Sequence, residues 1–131
     1  MNKQSLFDTV AEHLLTQKIK CENENGCRYM DNEGHRCAIG ILLSEEDCMR
    51  FDSPSKELIK LIEANGIHDP ECSISIEDIL LARPEALGGA EEYPQLLEDL
   101  QSLHDNRSPM HWDIGLVELA EEHGLSNEVV M

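Results

Sequence analysis

Aromatic side chains are scarce in this sequence: one Trp, two Tyr and two Phe amount to 4% of the residues. Aliphatic side chains are therefore expected to fill the core. Positive charge is scarce too, with ten Lys and Arg against 27 Asp and Glu, a net charge of −17. Binding to phosphates needs Lys and Arg to release counterions, so a nucleic-acid-binding function is excluded. A strong negative field instead keeps a protein soluble and steers it toward basic partners. No apolar run approaches the ~20 residues of a membrane-spanning helix; the longest, CAIGILL from Cys37 to Leu43, is far shorter. The amino terminus, MNKQSLFDTVAEHLL, is amphipathic and has no uninterrupted apolar stretch of the kind a signal peptide requires. Neither G-x-x-x-x-G-K-S/T nor G-x-G-x-x-G occurs, which leaves no cradle for nucleotide phosphates. The chain is expected to work in the cytoplasm, away from membranes and nucleic acids.

What the chain does have is enough length for one core. Its 131 residues suit a single globular domain over 1–131 that needs no staples. Five cysteines are an odd number for a disulfide framework, and reduced thiols of a cytosolic protein pack as small apolar groups. The negative charge is uneven. From Pro84 onward there are eleven Asp and Glu and one basic residue, Arg107, whereas Met1 to Lys60 holds eleven acids and eight bases.

Helical patterning dominates. Ser5 with Asp8 resembles a capping box, and Phe7, Val10, Ala11, Leu14, Leu15 and Ile19 follow as a 3.6-residue stripe. Ser44 with Asp47 marks a single short turn. Ser53-Pro54 opens a helix that ends at Asn65-Gly66, and Ser75 with Asp78 opens another that Pro84 limits. Tyr93, Leu96, Leu97, Leu100 and Leu103 form a strong stripe, and Ser108-Pro109 begins a last helix carrying Trp112, Leu116, Leu119 and Ala120. Between the first helix and these, Arg28 to Met30 and His35 to Ile39 flank Asp31-Asn32-Glu33-Gly34, which reads as a β-hairpin with Gly34 left-handed. That register pairs Cys27 with Ile39, Tyr29 with Cys37 and Asp31 with His35. Cys27, Tyr29, Cys37 and Ile39 then share one face, and Arg28 and Arg36 the other. The expected fold is α+β, mostly helical, with about five helices and one short antiparallel hairpin near residues 27–39.

Chemistry concentrates on that segment. Cys21, Cys27, His35 and Cys37 are four metal-ligand types within seventeen residues, and zinc takes such groups in a tetrahedron. Their spacing, C-x5-C and H-x-C, is not that of zinc knuckles, and the competing reading is packed cysteines beside a surface histidine. Arg28, Arg36 and His35 are positive groups of the kind that activate a thiol, although the register turns the arginines away from Cys27 and Cys37. His68-Asp69 and His104-Asp105 echo the His-Asp pairs of metal-dependent phosphohydrolases. Arg28, Arg36, His104 and Asp105 form a candidate surface site. An enzyme reading requires His104 and Asp105 within reach of the hairpin and thiols that face a cleft. From Asp69, alternate acids and serines imitate a calcium loop, but Ile74 and Leu80 stand where glycine and glutamate are needed. No cofactor is expected, with zinc the one open candidate.

Cys27-x-Tyr29 followed by Gly34-x-x-Cys37-Ala38-Ile39-Gly40, Leu42-Leu43 and an acidic turn resembles a group of small uncharacterised bacterial and bacteriophage proteins. These carry a C-x-Y-R…G-x-x-C-A-I/V-G segment after an amphipathic first helix. Leu100-Gln101-x-Leu103-His104-Asp105, Trp112, Leu116, Ala120 and Leu125 are similar to that group's closing helices, and the middle of the chain is least matched. Met30 stands where the group has arginine, and Ser44 where proline is common. The resemblance implies a phage, plasmid or accessory-gene setting and carries no activity. The functional expectation is a non-enzymatic protein-binding or regulatory module acting through its acidic last third on a protein partner, a basic one by charge. The alternative is a zinc protein or small enzyme centred on Cys27, His35 and Cys37.

Overall fold

Asn2 starts the first helix, α1 (Lys3–Gln17), from an extended backbone, and its side chain accepts the Ser5 amide at 2.7 Å. The cap therefore lies three residues ahead of Ser5, which sits inside the first turn. Leu6, Phe7, Val10, Ala11 and Leu14 fill the buried face. Lys18 ends the helix in the left-handed region at φ 50°. Ile19 falls beyond that reversal and is 49% exposed, so it leaves the apolar stripe.

The computed structural model describes residues 2–23, 26–27, 29–31, 33–52, 57, 60, 76, 79–80 and 84–130. The helices expected from Ser53 and Ser75 lie largely outside these residues. After α1 comes a pair of two-residue strands, β1 (Glu22–Asn23) and β2 (Gly26–Cys27), and after a 3-10 turn at Gly40–Leu42 comes α2 (Glu45–Asp52). Ser44 caps α2 by accepting the Asp47 amide at 3.1 Å. Glu45, Glu46 and Asp47 crowd its positive pole and Arg50 lies in its last turn, the charge order a helix dipole favours. That bias carries the element to eight residues where the sequence suggested one turn. Short 3-10 turns at Pro84–Leu87 and Ala90–Glu92 lead into α3 (Pro94–Asn106), and another at Pro109–His111 leads into α4 (Trp112–His123).

The α+β expectation is corrected by this architecture, which is mostly helical with four α-helices among the described residues. No hairpin spans 27–39. Cys27 pairs with Glu22 rather than Ile39, and from 29 to 37 one isolated bridge joins Met30 to Arg36. The reason is that the backbone past Cys37 turns into the 3-10 helix instead of extending, with Ile39 already at φ −85° and ψ −34°. The expected register survives in two bonds, from the Cys37 amide to the Tyr29 carbonyl at 3.2 Å and from the Asp31 amide to the His35 carbonyl at 2.9 Å. Asp52 and Gln101, however, take the Tyr29 and Ile39 amides that would have extended the ladder.

The core is one cluster built on α1, α3 and α4. Leu96, Leu97, Leu100 and Leu103 of α3 meet Trp112, Leu116, Leu119 and Ala120 of α4, with α1 packed on both. Each fully buried Leu or Phe contributes about 1.5–3 kcal/mol relative to exposure. Gly115 lets α3 and α4 close up, because a Cβ there would run into Leu103 Cδ1. The tail past α4 is tied back by Gln4, whose side chain donates to the Ser126 carbonyl at 3.0 Å and accepts the Ser126 amide at 2.8 Å. No helix among the described residues is long and apolar enough to cross a membrane.

Candidate functional site

The segment from Tyr29 to Gly40 is organised by Asp31. Its carboxylate accepts the amides of Glu33 and His35 at 2.9 Å each and the His35 ring nitrogen Nδ1 at 2.9 Å. Burial would raise the Asp31 pKa, but the hydrogen bonds from the His35 backbone and ring and the Glu33 amide outweigh it and hold the carboxyl below 3.8. Gly34 takes up φ 90° in the turn so formed. His35 faces Asp31 and, at 3.7 Å, Glu33.

Three helices then grip the segment. Asp52, the last residue of α2, accepts the amides of Tyr29 and Met30 at 2.9 and 3.1 Å. Gln17 of α1 brackets Arg36, accepting its amide at 2.9 Å and donating to its carbonyl at 2.8 Å, and His13 Nε2 reaches the same carbonyl at 2.9 Å. Gln101 of α3 accepts the Ile39 amide at 3.3 Å. Arg36 itself is half-buried and donates to the Leu43 carbonyl at 2.9 Å, so it serves the 3-10 turn instead of facing free into solvent. Gly40 lies against the Tyr29 backbone, where any Cβ would strike the Tyr29 carbonyl oxygen. Tyr29 is 6% exposed with its ring edge-on to Phe51, and Ile39 is buried.

His104 is the polar residue at the centre. It is fully buried, so it is not part of a surface site. The Cys21 amide donates to its Nε2 at 3.0 Å. An amide N–H only donates, so Nε2 holds the lone pair, and Nδ1 carries the hydrogen that it gives to Asp105 Oδ1 at 2.8 Å. The ring stacks on Trp112 with centroids 5.5 Å apart. Asp105 Oδ1 also accepts from Gln101 at 2.8 Å. A continuous chain of hydrogen bonds thus runs from Cys21 through His104, Asp105 and Gln101 to Ile39.

His104 and Asp105 do come within reach of the 29–40 segment, in the Asp–His pairing that hydrolytic enzymes use. The position a nucleophile would occupy is filled by a backbone amide. The described thiols, Cys21, Cys37 and Cys48, are also held protonated. Cys21 is pushed up to about 12 by burial and then by the charges of Asp31 and Asp52. Burial likewise raises Cys37 well above 9.0, and raises Cys48 to about 11. A thiolate is the reactive species, and these environments suppress it. Cys37 Sγ instead accepts the Gly40 amide at 3.2 Å, and Cys48 Sγ donates to the Gly40 carbonyl at 3.4 Å. Among the described residues no group of three or more His, Cys, Asp or Glu is placed to hold a metal ion, and His35 turns to Asp31 rather than Cys37. The Arg28 and Cys27 side chains lie outside the described parts.

Sequence reasoning missed His13, Gln17, Asp52 and Gln101. For Asp52 there was a signal, because an acid in the last turn of a helix opposes the dipole and needs a tertiary reason. Gln101 stands in the Leu100-Gln101-x-Leu103-His104-Asp105 motif but with no role attached, and for His13 and Gln17 no local pattern distinguishes them from solvated helix residues. At the surface, Met110 and Ile114 stand 78% and 54% exposed at the start of α4, beside the exposed Asp113, Glu118 and Glu121. Comparison with known proteins finds no matching family model, curated protein or solved structure.

Proposed function

We propose that the protein is a small non-enzymatic binding or regulatory module that engages a basic protein partner through the acidic face of its last third. The exposure of Met110 and Ile114, four residues apart in an acidic setting, carries this reading. Met110 lies in the 3-10 turn that leads into α4 and Ile114 in the first turn of α4, so both stand at the same end of that helix, and methionine adapts to varied apolar surfaces. Eleven acids against Arg107 alone from Pro84 onward supply a field that attracts a basic partner and repels an acidic one. Among the described residues, by contrast, His35, Cys37, Cys48 and His104 are engaged in bonds that hold the fold. The motif running from Cys27 to Gly40 extends the reading to an accessory role in a bacterial or phage setting, within the cytoplasm.

The test compares the immobilised protein with a Met110→Ser, Ile114→Ser double variant in capture from bacterial extract at low and high salt. The expected result is a basic partner retained by the parent, lost from the variant, and released as salt shortens the screening length from ~30 Å at 0.01 M to ~3 Å at 1 M. Capture that is unchanged by both the substitutions and the salt overturns the reading.

A further inference from the structure

Along α1, Thr9, Glu12, His13, Thr16 and Gln17 line, with Ile41 of the 3-10 turn, an open groove of about 400 Å³. Small-molecule sites typically occupy roughly 300–1,000 Å³. Two of its polar residues are fixed in place. Gln17 spends its amide nitrogen on the carbonyls of Ile19 and Arg36 and its oxygen on the Arg36 amide. His13 Nε2 lies 2.9 Å from the Arg36 carbonyl, so that nitrogen carries the hydrogen and Nδ1 remains an acceptor. Burial lowers the pKa of His13 from 6.5 against the pull of the Arg36 carbonyl, and the charge of Arg36 lowers it further. The ring is therefore neutral at neutral pH. No described residue hydrogen-bonds its Nδ1, and none pairs with the exposed Glu12 carboxylate.

The groove thus collects acceptors beside an aliphatic wall. It offers an imidazole lone pair, a carboxylate and the hydroxyl oxygens of the exposed Thr9 and Thr16, with Ile41 half-buried alongside. The complementary group has several N–H donors, one positive charge and a short apolar stem. We propose that the groove binds a primary alkylammonium group. Glu12 counters the charge, His13 Nδ1 and the threonine hydroxyls accept its N–H donors, and Ile41 covers the methylene stem. The same chemistry is available from a free aliphatic diamine or from a lysine side chain of a partner.

The full chain is titrated with 1,4-diaminobutane, with the blocked tripeptide acetyl-Gly-Lys-Gly-amide, and with 1-butanol as an uncharged stem of similar length, each followed by amide and imidazole NMR. The expected result is saturable shifts at Thr9 to Gln17 and Ile41 with both amines, a moved His13 Nδ1 resonance, and no saturation with 1-butanol. Glu12→Gln, at an exposed position, weakens the binding by about two- to fivefold, the range of an exposed ion pair, while leaving the spectrum of the core unchanged. Tighter binding of the tripeptide assigns the site to a partner's lysine, tighter binding of the diamine assigns it to a free amine, and equal binding limits recognition to ammonium and stem. The proposal is overturned if neither amine saturates at concentrations on the order of 10 mM, above the millimolar affinity so small a ligand reaches. It is also overturned if Glu12→Gln responds as the parent does.

Discussion

A single carbon atom added at Gly40 meets the carbonyl oxygen and the neighbouring main-chain atoms of Tyr29, which no side-chain rotation can move aside. Gly40→Ala is expected to destabilise the protein by about 3 kcal/mol, at the upper end of overpacking costs, as read from urea unfolding. His104→Ala removes a buried ring and leaves the Cys21 amide without its acceptor. The combined loss of packing and hydrogen bonding is about 3–5 kcal/mol, measured in the same way. Asp31 makes stability depend on acid. Its folded pKa lies below the ordinary 3.8, so its contribution is present above that value and is lost as the pH falls through the folded pKa. Asp31→Asn should flatten the acid limb of a stability–pH curve below pH 3.8, and an unaltered limb would contradict the role given to the Asp31 turn.

Between elements, what joins the 29–40 segment to the helices is a set of side-chain-to-backbone bonds rather than a sheet. Asp52→Ala should therefore release the Tyr29 and Met30 amides to hydrogen exchange while the amides of α1 stay protected, at a cost of about 2–4 kcal/mol for two charge-assisted bonds. Uniform loss of protection would mean that the segment and α1 open together. This arrangement also explains what could be read in advance. The stripes of α1, α3 and α4 were legible because burial repeats with the helical period, and Ser44 was legible as a cap because capping is local. The reversal at Asp31 to His35 was legible as a turn, but not its failure to become a hairpin. That outcome was decided by Asp52 and Gln101, residues distant in sequence whose polar side chains take the Tyr29 and Ile39 amides. His104 escaped for the same reason, since a histidine beside an aspartate near a helix end looks locally like a surface pair. Only the stacking on Trp112 and the Cys21 amide disclose its burial.

For the whole molecule, the buried thiols set the response to alkali. Cys21, Cys37 and Cys48 all have folded pKa values above 9.0, so the stability they allow is complete below that value and is lost as the pH rises from it toward the folded pKa. Each thiol kept protonated contributes a slope of about 1.4 kcal/mol per pH unit over that interval. Denaturation midpoints should fall steeply above pH 9.0, and alkylation of these three cysteines at neutral pH, followed by peptide mapping, should proceed only as fast as the fold opens. The covering of α1 has a consequence of another kind. Its apolar face is made well before the helices that cover it, α3 and α4, which are the last ones described in the chain. At the usual rate of ribosomal synthesis that face waits on the order of ten seconds for its partners. A nascent chain of this protein is thus a client for holding factors at the exit tunnel until α4 has emerged.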